Sequence, residues 1–352
     1  MRHERRLYSL AIAASLLVIL EGGARMLGPW AFPEHRLPAT MPAGNDPTMA
    51  DDVQLGWLPR VGQSTAFGAP GGAWINRHHM RGPEITTPKP SGERRVLVVG
   101  DSTVFGVMVA DADTFLAQTE TALQTIDPRI RLLNGGVPGW SSVQSRRALE
   151  TLWADTAPDL LVIASLWSDS RPADLPDALR FGRQLPSILE ASRSFVALRA
   201  WVRQARWGND PETVRVDLSP ARQGPPPGGR AGPAGGKPPE PLTVRVPLED
   251  YAASLDALAD RAEGMGAKVA YLVLPCVRDP GGGPIGDARD TYRERMREAA
   301  RARNAPLADA PPRFVEGRAQ DLFYDDVHPT VAGHARLAGV LTEALRPWAA
   351  TR

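Results

Sequence analysis

Four stretches of this sequence carry residue types that could together move an acyl group. An apolar run, Val96-Leu97-Val98-Val99, leads directly into Gly100-Asp101-Ser102, placing a hydroxyl in the turn that follows. A second run ends in Asn134-Gly135-Gly136-Val137-Pro138-Gly139, where glycine backbone can approach a ligand closely. The third ends in Leu166-Trp167-Ser168-Asp169, and near the C-terminus stands Asp325-Asp326-Val327-His328-Pro329. Acyl transfer needs a hydroxyl nucleophile, an imidazole to take its proton, a carboxylate to orient that ring, and donors for the oxyanion. In a tight turn, residues three apart return to one side, so Asp325 can reach Nδ1 of His328 and leave Nε2 for Ser102. Asp326 is less well placed, and Thr330 is the natural cap for the helix that follows.

Those stretches need a scaffold that brings them to one edge. From Arg95 onward, short apolar runs alternate with helical periodicity, the signature of a parallel α/β sheet. Strands are predicted at Val96–Val99, Ile130–Leu133, Leu160–Ala164, Lys268–Leu274 and near Leu307. Helices are predicted over 114–125, 142–154, 185–206, 248–263, 288–303 and 331–345. Five strands with intervening helices predict an α/β fold, a three-layer α/β/α sandwich on a flavodoxin-like parallel sheet, in which all strand carboxyl ends open on one crevice. From Pro220 to Pro241, 14 of 22 residues are Gly or Pro, which reads as an exposed insertion without a core of its own.

Other chemistries find less support. No Gly-x-Ser-x-Gly occurs. Gly281, Gly283 and Gly286 fit a dinucleotide fingerprint, but Pro284 interrupts it and the acidic residue expected about 20 positions later is missing. His78 and His79 are adjacent, so in an extended segment they point to opposite faces, which is poor metal geometry. Neither a metal nor a cofactor is expected. The single cysteine, Cys276, ends an apolar run and reads as a buried structural residue. The 352 residues carry a formal charge of +1, with 41 basic and 40 acidic side chains, and so lack the electrostatic footprint of a nucleic-acid partner.

At the N-terminus, Arg2, Arg5 and Arg6 precede an uncharged run from Leu7 to Leu20. Fourteen residues suit a signal-peptide core, and the arginines should stay inside while the rest is exported. Two readings remain open: a membrane anchor holding the domain outside the cytoplasm, or a cleaved signal releasing it to the periplasm or medium. The organisation expected is an N-terminal segment over 1–27, an irregular prelude over 28–92 and an α/β domain over 93–348, with the Gly/Pro-rich insertion at about 220–241.

The stretch from Arg95 to Leu345 resembles the SGNH/GDSL hydrolases, on the residues Arg95 to Ser102, Asn134 to Gly139, and the Asp-x-x-His of Asp325 and His328. The prelude from Ile75-Asn76 to Arg81-Gly82 is similar to that of exported, often membrane-anchored, bacterial members. The resemblance implies a serine esterase with Ser102 as nucleophile, His328 as base and Asp325 as its partner, and with the Ser102 and Gly139 N–H groups as oxyanion donors. Family members usually carry Gly-x-Asn-Asp in the third stretch, the asparagine amide being a third donor. Here Ser168 stands in its place, and loss of such a donor costs about 2.7–4 kcal/mol; Ser165 and Ser170 are neighbouring hydroxyls that could compensate. The expected substrate is a small acyl ester, with O-acetyl groups on envelope carbohydrate as one candidate. The alternatives are an O-acyltransferase using the same residues, with a sugar hydroxyl in place of water, and a non-catalytic binding protein on a degenerate fold of this kind.

Overall fold

Five buried apolar runs become the strands of one parallel sheet in the computed structural model, which describes residues 15–16, 19–22, 48–52, 54–64, 68–173, 176–178, 243–280 and 288–351. The strands are β1 (Arg94–Gly100), β2 (Ile130–Gly136), β3 (Leu160–Ile163), β4 (Lys268–Val273) and β5 (Leu307–Asp309). Their order across the sheet is β5-β4-β3-β1-β2, with Val96 paired to Leu132 on one side and to Leu160 on the other. This is the doubly wound order of flavodoxin-like folds. The chain runs from β1 to β2 on one side and then crosses back to β3 on the other side of β1, so the winding reverses there and a crevice opens between the carboxyl ends of β1 and β3. Val96 to Val99 and Leu160 to Ile163 are essentially inaccessible, as strands covered on both faces must be.

Helices α2 (Phe115–Gln124) and α7 (Val331–Ala350) pack together on one face, and α3 (Ser142–Glu150), α4 (Leu248–Gly264) and α5 (Ala288–Ala302) on the other. Between them lie the single-turn helices α1 (Ser102–Phe105) and α6 (Ala319–Leu322). Thr114 and Thr330 cap α2 and α7, their hydroxyls accepting from Ala117 and Gly333 N–H at 3.2 Å.

Two helix ends differ from the sequence expectation. The helix expected to reach Ala154 stops at Glu150. There Thr151 N–H turns back to the Arg147 and Ala148 carbonyls, and Trp153 is buried against Trp140 with its indole N–H donated to His78 O at 2.9 Å. The helix expected to end at Leu345 continues through Pro347 to Ala350. The guanidinium of Arg94 donates to the Trp348 and Ala349 carbonyls and lies 4.1 Å from the Trp348 ring, holding the last turn against the sheet.

The chain divides into two units. The first, Met1–Trp57 with Arg183–Arg215, has helical residues at 15–16 and 19–22 and a short strand, Met49–Asp52, among its described residues. The second, Leu58–Gly182 with Val216–Arg352, contains the whole parallel sheet. Within it Arg81 is buried, donating to Asp111 at 2.6 Å and to the carbonyls of Phe105 and Val109, so the prelude pins the loop that follows α1. The helix expected at 185–206, the insertion at 220–241 and Gly281, Gly283 and Gly286 lie outside the described residues, as does most of the Leu7–Leu20 run. Among the described residues no helix is long and apolar enough to cross a membrane.

Candidate active site

The turn after β1 is held by its own aspartate. Asp101 Oδ1 accepts from Thr103 N–H at 3.1 Å, capping α1, while Oδ2 accepts from Trp167 N–H at 3.1 Å and Ser168 N–H at 3.3 Å. One carboxylate thus ties the loop after β1 to the loop after β3. Burial pushes the Asp101 pKa up, against the pull of its backbone donors and of His328. Ser102 begins α1 almost wholly buried, and its N–H makes no hydrogen bond with a described residue.

Ser102 Oγ lies 2.7 Å from His328 Nε2, and His328 Nδ1 lies 2.6 Å from Asp325 Oδ2. The other Asp325 oxygen accepts from the N–H groups of Val327 and His328, both at 2.9 Å, which makes the Asp-x-x-His segment a closed turn. Thr103 Oγ1 donates to Val327 O at 3.3 Å and fastens that turn to α1. Burial raises the Asp325 carboxyl's pKa, but the hydrogen bond and charge of His328 and the two backbone donors outweigh it and hold the pKa at about 2. An ionised carboxylate only accepts, so the imidazole proton sits on Nδ1 and Nε2 is free to accept from Ser102. The Asp326 side chain makes no hydrogen bond with a described residue, and its carbonyl accepts from Val277 N–H at 2.9 Å.

The loop after β2 closes over the same turn. Val137 N–H donates to Gly100 O at 3.1 Å, and Asn134 Nδ2 donates to Phe105 O at 3.3 Å. A Cβ on Gly136 would collide with the Val104 and Phe105 backbone, so only glycine lets β2 pass this close to α1. Gly139 has φ of +80°, and its N–H makes no hydrogen bond with a described residue. Its carbonyl accepts from the buried Arg245, which also binds Asp177 at 2.6 Å and Gln144 at 2.8 Å.

Ser168 is buried with its N–H committed to Asp101 and its hydroxyl without a hydrogen-bond partner among the described residues. Beside it, Asp169 accepts from Ser142 Oγ at 2.5 Å and Ser142 N–H at 2.9 Å, and burial pushes its pKa up to about 7 despite those donors. Ser165 is occupied differently, its carbonyl taking the Tyr251 hydroxyl at 2.7 Å and its Oγ lying 3.3 Å from Ser145 Oγ. Ser170 Oγ donates to Trp167 O at 3.3 Å.

The structure therefore brings Ser102, His328 and Asp325 into one hydrogen-bonded chain, with Gly139 and Ser168 in the loops bound to the same turn. Sequence reasoning missed Asp101, Asp169 and the Asp177–Arg245 pair as the ties between these loops. Asp101 and Asp169 each adjoin a residue already singled out, so adjacency was a usable signal. Arg245 offered none. The remaining candidates are spent on structure. Cys276 is buried, which raises its thiol pKa, and His79 Nδ1 donates to Pro59 O at 2.7 Å. His334 stacks on Phe115 inside α7.

The model of the GDSL-like lipase/acylhydrolase family matches residues 208–336, a stretch that carries Asp325 and His328 while Ser102 precedes it. No curated protein matches the sequence. Among solved structures the chain is similar to LAE5, an α/β hydrolase enzyme from the metagenome of Lake Arreo, Spain, at 16% identity over 74% of this chain and 97% of that one, with a TM-score of 0.46. It is also similar to Axe2, an acetylxylan esterase from Geobacillus stearothermophilus, at 19% identity over 72% and 94%, with a TM-score of 0.45. The family match thus covers one part of the chain, and the five-stranded parallel sheet is the three-layer architecture that the SGNH/GDSL resemblance implied.

Proposed function

We propose that this protein cleaves small acyl esters through an acyl-enzyme on Ser102, with O-acetyl groups on carbohydrate as the first substrates to test. The observation that carries the reading is the unbroken hydrogen-bond chain from Ser102 Oγ through His328 to Asp325. Ser102 Oγ attacks the ester carbonyl carbon and its proton passes to His328 Nε2. The carbonyl oxygen becomes an oxyanion facing the N–H groups of Ser102 and Gly139 and the Ser168 hydroxyl. Collapse of this intermediate expels the alcohol, which takes the proton from Nε2. Water then attacks the acyl-serine, again through His328, releasing the acid and restoring Ser102. The near-complete burial of Ser102, Trp167 and Ser168 favours a short acyl group beside Oγ.

A fluorophosphonate probe should label the wild-type protein and not Ser102→Ala, and a panel of p-nitrophenyl esters should show turnover falling as the acyl chain lengthens. Wild-type-like turnover in Ser102→Ala would refute the assignment. We further propose that the domain works outside the cytoplasm, held or delivered by the N-terminal segment. The arginines before Leu7 and the exposed apolar side chains of Leu16, Ile19 and Leu20 support this. Alkaline phosphatase fused after Arg352 should be active, and activity of a cytoplasm-only reporter at that position would overturn the proposal.

A further inference from the structure

One cation beside the site has no hydrogen-bond or ion-pair partner among the described residues. Arg171 follows the Trp167–Ser170 turn, and its backbone is fixed. Its carbonyl accepts from Arg245 N–H at 2.8 Å, Asp169 O accepts from Val246 N–H at 3.0 Å, and Pro172–Ala173 pairs antiparallel with Thr243–Val244. The side chain is half-buried, yet its guanidinium makes neither a hydrogen bond nor an ion pair with a described residue. Burial lowers its pKa, while the Asp101 and Asp325 carboxylates oppose that shift and the cation of Arg245 adds to it, so all three lie within electrostatic reach.

Neither carboxylate is at liberty to take Arg171. Asp101 is committed to the N–H groups of Thr103, Trp167 and Ser168, and Asp325 to those of Val327 and His328 and to the imidazole. Arg245 itself is satisfied by Asp177, Gln144 and Gly139. A guanidinium carries five N–H donors in a planar fork, and on half-buried Arg171 they remain open to an incoming acceptor. Such a group, fixed three residues beyond Ser168, suits an oxyanion that arrives with the substrate.

We infer that Arg171 is a specificity-determining residue that binds an anionic group, carboxylate or phosphate, on the alcohol side of the scissile ester. The inference rests on the acyl-enzyme reading for the position of that ester, but binding tests it without turnover. The substrate class becomes an acyl ester of an acidic alcohol, such as an acidic sugar, rather than of a neutral one.

The test compares 4-acetoxybenzoate, 4-acetoxyphenyl phosphate and neutral 4-acetoxybenzamide, each rate being normalised to its hydroxide-catalysed reaction. Wild type should prefer one of the anionic esters by at least tenfold in kcat/KM, and the preferred one identifies the anion. Arg171→Gln should lose that preference through KM, Arg171→Lys should retain part of it, and added salt should shrink it. Equal losses on all three esters, or no wild-type preference, would overturn the inference. Calorimetric titration with the alcohol products 4-hydroxybenzoate, 4-hydroxyphenyl phosphate and 4-hydroxybenzamide supplies the independent arm. Binding of an anionic product weakened tenfold or more by Arg171→Gln supports the site, and its absence or indifference to the substitution refutes it. A protein inert to all three esters and to fluorophosphonate defeats the acyl-enzyme reading alone, leaving the titration to decide Arg171.

Discussion

Asp325→Asn puts the sharpest demand on the site, because it replaces one oxygen with NH2 and removes the charge while leaving the shape intact. In the wild type, Asp325 Oδ1 takes two backbone N–H groups at 2.9 Å and Oδ2 takes His328 Nδ1 at 2.6 Å. An asparagine must keep its oxygen on the backbone side, since turning its NH2 there would oppose two donors and forfeit two hydrogen bonds, at roughly 1–3 kcal/mol for each donor left unsatisfied. The NH2 then faces Nδ1, where only an accepting nitrogen is tolerated. The ring proton moves to Nε2 and points at Ser102 Oγ, 2.7 Å away, so the imidazole can no longer take the serine proton. A triad in the wrong tautomer loses about 10⁴-fold in kcat, equivalent to about 5.4 kcal/mol. Substrate binding is untouched by the swap, so KM on p-nitrophenyl acetate should stay within a few fold, and fluorophosphonate labelling should slow in parallel with kcat. Asp326→Asn is the matched control. Its side chain makes no hydrogen bond with a described residue, and the change should leave kcat within about twofold. Asp325→Asn retaining a tenth or more of wild-type turnover would show that Asp325 does not orient the ring, and an equal fall in Asp326→Asn would show that the loop, not the residue, is being read.

Two further outcomes follow from neighbouring residues. Ser168→Ala should lower kcat by about 10²-fold with little change in KM, because its unbonded hydroxyl gains strength only as charge develops on the carbonyl oxygen, and Ser168→Asn should retain wild-type turnover or exceed it; a neutral Ser168→Ala would remove that side chain from the oxyanion site. For stability, burial, with smaller pushes from Arg81 and His328, lowers the His334 pKa to about 3, so between pH 6.5 and 3 the unfolded chain binds a proton that the folded protein refuses. Stability therefore falls as the pH drops below 6.5, by about 2 kcal/mol at pH 5 from this group, and the penalty saturates below pH 3. Asp169, with its pKa raised to about 7, works in the opposite sense, favouring the folded protein as the pH falls from 7 towards 3.8. The difference in melting temperature between wild type and His334→Gln, which keeps an acceptor for Phe115 N–H, should thus change across pH 4–7, and a constant difference would contradict a neutral buried His334.

Local pattern was enough for the sheet and for the hydrogen-bonded triad. Strands covered on both faces must be apolar along their whole length, so Val96–Val99 and Leu160–Ile163 were legible as buried parallel strands. Five such runs separated by helical periods admit few windings, and one of them puts every carboxyl end on a shared edge. The Asp-x-x-His spacing is itself a turn constraint, which is why Asp325 and His328 could be paired without coordinates. What lay beyond reach is whatever depends on groups distant in sequence. Asp101 binds the N–H of Ser168, Ser142 binds Asp169, and Arg245 binds the carbonyl of Gly139, each tie joining loops that nothing in the linear pattern brings together. The same holds for α7, which outruns Pro347 because Arg94, at the far end of the chain, holds its last carbonyls. Arg171 shows the limit most plainly. Its type and position could be read, but that its neighbouring carboxylates are already occupied, leaving its donors without a described partner, is decided only when three loops and a turn close beside one half-buried charge.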